Sequence, residues 1–227
     1  MTQRERELFV KIAHRGASAY EPENTLRSFE RAIEMKSDLI EFDLRSSQDG
    51  HIVVIHDKKV DRTTDGSGLV EQITLAELKE LDAGKGEKIP TFEEVLELCG
   101  GRTKLVIELK ENGIEEKVLS LLKKHGMLND SFIISFKPKR LKVVKILEPQ
   151  VRTGLISFGS LNPVKVAEQC GADAVAPFHW FITDRTIQRA QESGLYLFTW
   201  VVDATRHARE LKEKGVQGIV TNRPDII

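Results

Sequence analysis

The chain predicts an α/β fold, a TIM-type (β/α)8 barrel, on three observations. Short apolar runs rich in β-branched residues alternate with segments of helical period. Once a single hairpin is set aside, the runs suffice for eight barrel strands. Ionisable residues collect at the C-terminal ends of those runs, where such barrels keep their reactive groups. At 227 residues, one domain spanning 1–227 is the expected organisation.

The predicted strands are, in order, Val10–His14, Leu39–Leu44, Ile52–His56, Lys104–Leu109, Phe132–Phe136, Thr153–Ser157, Ala174–Pro177, Tyr196–Val201 and Gly218–Thr221. Helical periods fill 25–35, 92–98, 114–125, 138–147, 163–170, 184–193 and 204–214. Ile52–His56 follows its predecessor with no helix between. Asp49-Gly50 stands there instead, a two-residue hairpin signal. Such a turn pairs residues whose numbers sum to 99, which puts Asp43 opposite His56. The second barrel strand is expected to run past the rim, turn, and return His56 to the mouth.

Residues 57–87 break the rhythm. They hold Asp61-Arg62-Thr63-Thr64-Asp65-Gly66-Ser67-Gly68, then a short helix opened by a Thr74/Glu77 capping box, then the loop Gly84-Lys85-Gly86. They are expected to form an insertion over the C-terminal face that shapes the substrate. The chain ends soon after the last strand, so a closing helix is missing or very short.

With 34 basic and 35 acidic residues and a net charge of −1, whole-chain charge gives no reason to expect nucleic acid or an anionic membrane as partner. No run approaches the roughly 18 apolar residues of a membrane span. Met1 to Glu7 is highly charged and lacks an apolar signal region. A cytoplasmic protein with no stable membrane association is expected. Cys99 and Cys170 fall on apolar faces of helices and read as reduced core thiols.

Strand one ends in His14-Arg15-Gly16. Glu41 and Asp43, two apart, share one face of strand two. The hairpin returns His56-Asp57, and strand three ends in Glu108-Leu109-Lys110. Three carboxylates, two histidines, an arginine and a lysine thus converge on one rim. Burying that set without a partner would be costly. A divalent cation among Glu41, Asp43 and Glu108 resolves the clash, and all-oxygen ligation favours Mg2+ or Ca2+. With Arg15 and Lys110 the pocket becomes strongly positive and suits a phosphate diester. The two imidazoles can divide the proton work.

His14-Arg15-Gly16, Glu23-Asn24-Thr25, Glu41-Phe42-Asp43, Asp49-Gly50 and Val54-Ile55-His56-Asp57 resemble the signature of glycerophosphodiester phosphodiesterases. Ile107-Glu108-Leu109-Lys110, Ser135-Phe136, Thr199-Trp200 and Gly218-Ile219-Val220-Thr221 continue the match in order. The resemblance implies a phospholipase C-like barrel that hydrolyses glycerophosphodiesters, small molecules, to an alcohol and sn-glycerol 3-phosphate. It implies His14 and His56 as the acid/base pair and Arg15 on the phosphoryl charge. Glu41, Asp43 and Glu108 would hold the metal. Lys110 would contact the phosphate, and Trp200 would pack against the glycerol backbone.

Asn222 stands where the family often has an acidic residue, and Asp203 where asparagine is frequent. Both are expected to affect fine substrate contacts and not the reaction class. Phe178, His179, Trp180 and Phe181 form an aromatic cluster after strand six that reads equally as core or as a cleft wall. Two alternatives stay open: cleavage of lysophospholipids or phosphoinositides by the same barrel, and a non-catalytic phosphoglycerol-binding barrel.

Overall fold

The computed structural model describes residues 9–226. The expectation for Met1 to Glu7 lies outside them. Eight parallel strands close a barrel: β1 (Val10–His14), β2 (Leu39–Ser46), β4 (Lys104–Leu109), β5 (Ser131–Ser135), β6 (Arg152–Ser157), β7 (Ala174–Pro177), β8 (Tyr196–Thr199) and β9 (Gly218–Thr221). Closure comes from β1, which pairs with β9 on one side and β2 on the other. The ninth strand, β3 (Ile52–Val54), pairs antiparallel with the overhanging end of β2. Setting one hairpin aside therefore counts the barrel correctly.

The helices are α1 (Leu26–Glu34), α2 (Leu75–Glu80), α3 (Phe92–Cys99), α4 (Glu115–Lys124), α5 (Pro138–Leu147), α6 (Pro163–Gln169), α7 (Asp184–Glu192) and α8 (Thr205–Glu213). Thr25, Thr74 and Thr91 each open a helix with a reciprocal capping box, so local chemistry sets those starts. Outward strand residues such as Ile40, Phe42, Ile107, Val175 and Ile219 are buried in the layer shared with the helices. The inward face alternates with them. Ile12, Val106 and Val220 fill the lower interior, and Leu39 lies with them on the face that carries Glu41 and Asp43. Cys99 and Cys170 are buried free thiols, as their helix faces predict.

No helix follows β9 among the described residues. The terminal segment takes its place: Ile226 is buried with the α7–α8 side of the outer core, and Lys11 Nζ donates to the Pro224 carbonyl at 3.3 Å.

The hairpin differs from expectation by one residue. Leu44 pairs with Val54, Arg45 with Val53 and Ser46 with Ile52, so paired numbers sum to 98. The loop holds three residues, Gln48-Asp49-Gly50, between Ser47 and His51, with Gly50 left-handed at φ 79°. A turn followed by a left-handed glycine is the next hairpin solution after the two-residue loop. Asp43 consequently faces Ile55, whose N–H donates to its carbonyl at 3.0 Å. The ladder has ended by His56, which reaches the mouth as a rim residue and not as a cross-strand partner.

Residues 57–87 bury Val60, Val70, Leu78 and Ala83 in a separate cluster with Val53, Ile55 and Ile89. No described helix is long and apolar enough to cross a membrane.

Candidate active site

Strand register assembles the site. On β1 and β2 His14 is level with Glu41. On β2 and β4 Asp43 is level with Glu108. All four are inward positions at the C-terminal end. Glu41, Asp43 and Glu108 are 3%, 1% and 7% exposed, and one oxygen from each lies within 4.8 Å of the others. Two ligands trans across an ion lie about 4 Å apart for Mg2+ and nearly 5 Å for Ca2+. The spacing therefore fits a single hard cation.

Burial and the neighbouring charges of Asp43 and Glu108 push the Glu41 carboxyl well up. Burial and the Asp43 charge push Glu108 up to about 7. Burial also works against an ionised Asp43. The charges of Lys110, Arg15 and His56, with the Asn24 hydrogen bond, outweigh it and hold Asp43 at about 2. Three acids this close and this buried resist ionising together, and a divalent cation among them would relieve that beyond what Lys110 and Arg15 supply. The buried Asn24 Oδ1, which has no hydrogen-bond partner, adds an unsatisfied oxygen to the residues around Asp43. Glu41, Asp43 and Glu108 form an all-oxygen donor set, which suits a hard cation.

The two predicted phosphate-binding cations both lie on this acid layer. Lys110 Nζ is 2.8 Å from Glu108 Oε1 and 3.2 Å from Asp43 Oδ1. Arg15 Nε lies 3.3 Å from Asp43 Oδ2 without hydrogen-bond geometry, while its backbone N–H donates to Glu41 Oε2 at 3.0 Å. Arg15 is left-handed at φ 53°, a strained state for a side-chain-bearing residue. Gly16 follows at φ 81°, and a Cβ there would meet the Ser28 backbone at 2.7 Å. The turn after β1 is thus pressed against the first turn of α1, which aims the Arg15 amide at the acid layer.

The imidazoles are held differently. His14 Nδ1 lies 2.7 Å from Asn222 Oδ1. The Asn222 amide donates to Asp203 Oδ2 at 2.7 Å, and its Oδ1 also accepts from Ser18 Oγ. That Oδ1 can only accept, so His14 Nδ1 carries the proton and Nε2 is free. Burial, and then the Arg15 charge, lower His14 to about 4. His56 Nδ1 lies 2.5 Å from the Asp57 carboxylate. Burial lowers His56 as well, with Asp43 and Asp57 pulling the other way. Its carbonyl accepts from Arg45 Nε at 2.9 Å and Nη2 at 2.8 Å.

His14, Arg15, Glu41, His56, Glu108, Lys110, Phe136 and Trp200 line one cavity of about 240 Å3. Every predicted site residue is therefore in or directly beneath one pocket. Trp200 donates from its ring nitrogen to the Ala176 carbonyl and packs edge-on against Phe136 and Phe178. The rings continue outward through Phe158, Phe181 and Trp180, which are 63%, 41% and 78% exposed.

Sequence reasoning left out Arg45, although strand alternation continues from Glu41 and Asp43 to it. Asn24 and Asp57 stand inside the motifs, but their contacts with Asp43 and His56 have no local signal. Asn222 reads from the sequence as a rim residue that bears on fine substrate contacts. The β1–β9 register, with Ala13 level with Thr221, instead brings Asn222 beside His14. Arg62 carried no local signal.

Residues 14–226 match the glycerophosphoryl diester phosphodiesterase family. The chain is 40% identical to a glycerophosphodiester phosphodiesterase of Caldanaerobacter subterraneus subsp. tengcongensis, over 95% of each chain. It is 41% identical to a putative glycerophosphodiester phosphodiesterase of Bacillus subtilis, again over 95% of each. The structure is similar to an Oleispira antarctica phosphodiesterase solved with the product sn-glycerol-3-phosphate: TM-score 0.90, 29% identity, 96% of this chain and 94% of that one.

Proposed function

The chain belongs to the glycerophosphoryl diester phosphodiesterase family and is an enzyme of that class, and from that premise we propose a metal-assisted, two-imidazole hydrolysis of glycerophosphodiesters to an alcohol and sn-glycerol 3-phosphate. The observation that carries this reading is the buried acid layer of Glu41, Asp43 and Glu108 beside two cations and two imidazoles. Charge balance supports it. The three carboxylates against Arg15 and Lys110 leave one net negative charge. A divalent cation turns that into one positive charge, which a singly charged diester neutralises.

Glu41, Asp43 and Glu108 would hold Mg2+ or Ca2+, which would supply a fixed positive charge beside the phosphoryl oxygens. In our reading Arg15 and Lys110 turn from the carboxylates toward the phosphate. His14 is the general base: its free Nε2 is unprotonated near neutral pH, and its Nδ1–H is anchored on Asn222. His56 is the general acid: the Asp57 carboxylate holds its Nδ1 and partly offsets the burial that disfavours the imidazolium, which leaves Nε2 to protonate the departing alkoxide. Trp200 takes the glycerol backbone.

Release of sn-glycerol 3-phosphate from glycerophosphocholine, with and without chelator, tests this function. Undiminished release after chelation removes the metal. His14→Ala and His56→Ala should each lower kcat by at least about a hundredfold with the fold intact. Full activity in either removes that histidine from the mechanism.

A second reading has one observation in its favour. The exposed rings of Phe158, Trp180 and Phe181 extend the pocket into an apolar wall, which suits a substrate bearing an acyl chain, as a lysophospholipid does. If so, Trp180→Ala slows lysophosphatidylcholine cleavage and spares glycerophosphocholine. Equal effects on the two substrates would exclude the chain-binding reading.

A further inference from the structure

Arg62, on the segment between β3 and α2, lines no part of the pocket, yet it is tied to two of the acting groups. Its Nη1 and Nη2 donate to Glu23 Oε2 and Oε1 at 2.9 and 2.7 Å, a two-pronged contact. Its Nε donates to Asp57 Oδ2 at 2.6 Å. Glu23 Oε1 also accepts from Arg15 Nη1 at 2.8 Å, and Asp57 Oδ1 faces His56 Nδ1 at 2.5 Å. His56, Asp57, Arg62, Glu23 and Arg15 form one unbroken chain of charged contacts.

Stability does not explain this arrangement. Arg62 is 48% exposed, and ion pairs in that setting contribute about 0–1 kcal/mol. What a planar fork on two carboxylates provides is orientation. The His56 backbone is already pinned, because Arg45 grips its carbonyl with two N–H groups. The freedom left to His56 is rotation of its side chain. The carboxylate that limits that rotation is itself oriented by Arg62. On the other side, Glu23 shares its Oε1 between Arg62 and Arg15 and so sets where the Arg15 guanidinium begins.

We propose that Arg62 is a positioning residue for the reaction, holding Asp57 and Glu23 so that His56 and Arg15 face the phosphate together. It makes the segment after β3 a part of the catalytic apparatus and not only a cover. This rests on the reading of His56 and Arg15 as acting groups.

The test uses Arg62→Ala, Arg62→Lys and His56→Ala in the full chain, assayed on glycerophosphocholine with saturating Mg2+. Misplacing a reacting group by an ångström can cost on the order of a hundredfold. Arg62→Ala should lower kcat about ten- to a hundredfold, leave KM within about threefold, and recover part of its kcat when methylguanidinium is added. Arg62→Lys keeps the charge, loses the fork and should fall between. Wild-type kcat in Arg62→Ala overturns the proposal. So does an activity loss that follows the unfolded fraction and is not rescued. If Arg62→Ala does not fold, Arg62→Lys decides: wild-type kcat there means that the fork orients nothing. If His56→Ala itself keeps wild-type turnover, the underlying reading of His56 fails. If His56→Ala is inactive while Arg62→Ala is fully active, only the role of Arg62 fails.

Discussion

Exchanging the residues behind His14, as Asn222→Asp together with Asp203→Asn, replaces a neutral hydrogen-bond acceptor by a carboxylate at the same place. His14 Nδ1 is 2.7 Å from Asn222 Oδ1, so the new carboxylate would sit in direct contact with the ring. Hydrogen bonds between neutral groups contribute about 0.5–1.5 kcal/mol and those to charged groups about 1.5–3. The gain for the imidazolium is about 1–1.5 kcal/mol, or about one pKa unit. His14 should therefore rise from about 4 to about 5. Asp203 has to change as well. Asn222 Nδ2 now donates to Asp203 Oδ2 at 2.7 Å, and two carboxylates at that distance would share a proton and cancel much of the effect.

The assay is kcat/KM against pH, whose limbs report the free enzyme. If His14 must be neutral to act, its acidic limb moves about one unit to higher pH in the double variant and less in Asn222→Asp alone. A limb that stays in place, or moves down, refutes the assignment of that limb to His14. Stability carries the same sign. The folded value of about 4 lies below the ordinary 6.5, so acidification across that window favours the unfolded chain. The double variant should lose less stability there.

Cation uptake should release protons, because Glu41 and Glu108 are held above their ordinary values and must ionise to ligate. Calorimetry in buffers of different ionisation enthalpy should find fewer protons released, and tighter binding, as pH rises through about 7. A pH-independent affinity would exclude Glu108 as a ligand. Glu41→Gln should weaken Mg2+ or Ca2+ binding in the same titration, and unchanged affinity would remove Glu41 from the set. Gly16→Ala puts a Cβ within 2.7 Å of the Ser28 backbone at φ 81°. It should cost at least about 2 kcal/mol in urea unfolding, and a neutral result would mean that the turn relaxes freely. Deleting 61–84 uncovers Val53, Ile55 and Ile89 and removes Arg62, so stability and activity should fall together. Intact stability would mean that this cluster is dispensable.

Much of the molecule is legible from local pattern. Alternating β-branched runs and helical periods locate the strands and helices. The threonine boxes at Thr25, Thr74 and Thr91 mark helix starts through contacts three residues long. Alternation also puts Glu41 with Asp43, and Glu108 with Lys110, on inward faces at strand ends. These features depend on neighbours close in sequence, which is why residue order alone contains them.

Register between strands is different in kind. Whether the hairpin numbers sum to 98 or 99 depends on one left-handed glycine and on how Ile55 packs beneath residues 57–87, and it decides whether His56 lies across from Asp43 or beyond the ladder. Barrel closure brings β9 to β1 across more than two hundred residues, and only that pairing turns Asn222 from a rim residue into the partner of His14. Arg62 meets Glu23 across 39 positions with no periodicity to announce it. The types of chemistry were written in the order of residues. Which imidazole has which partner was decided by long-range packing, because a hydrogen bond is specified to a fraction of an ångström and sequence pattern only to a face.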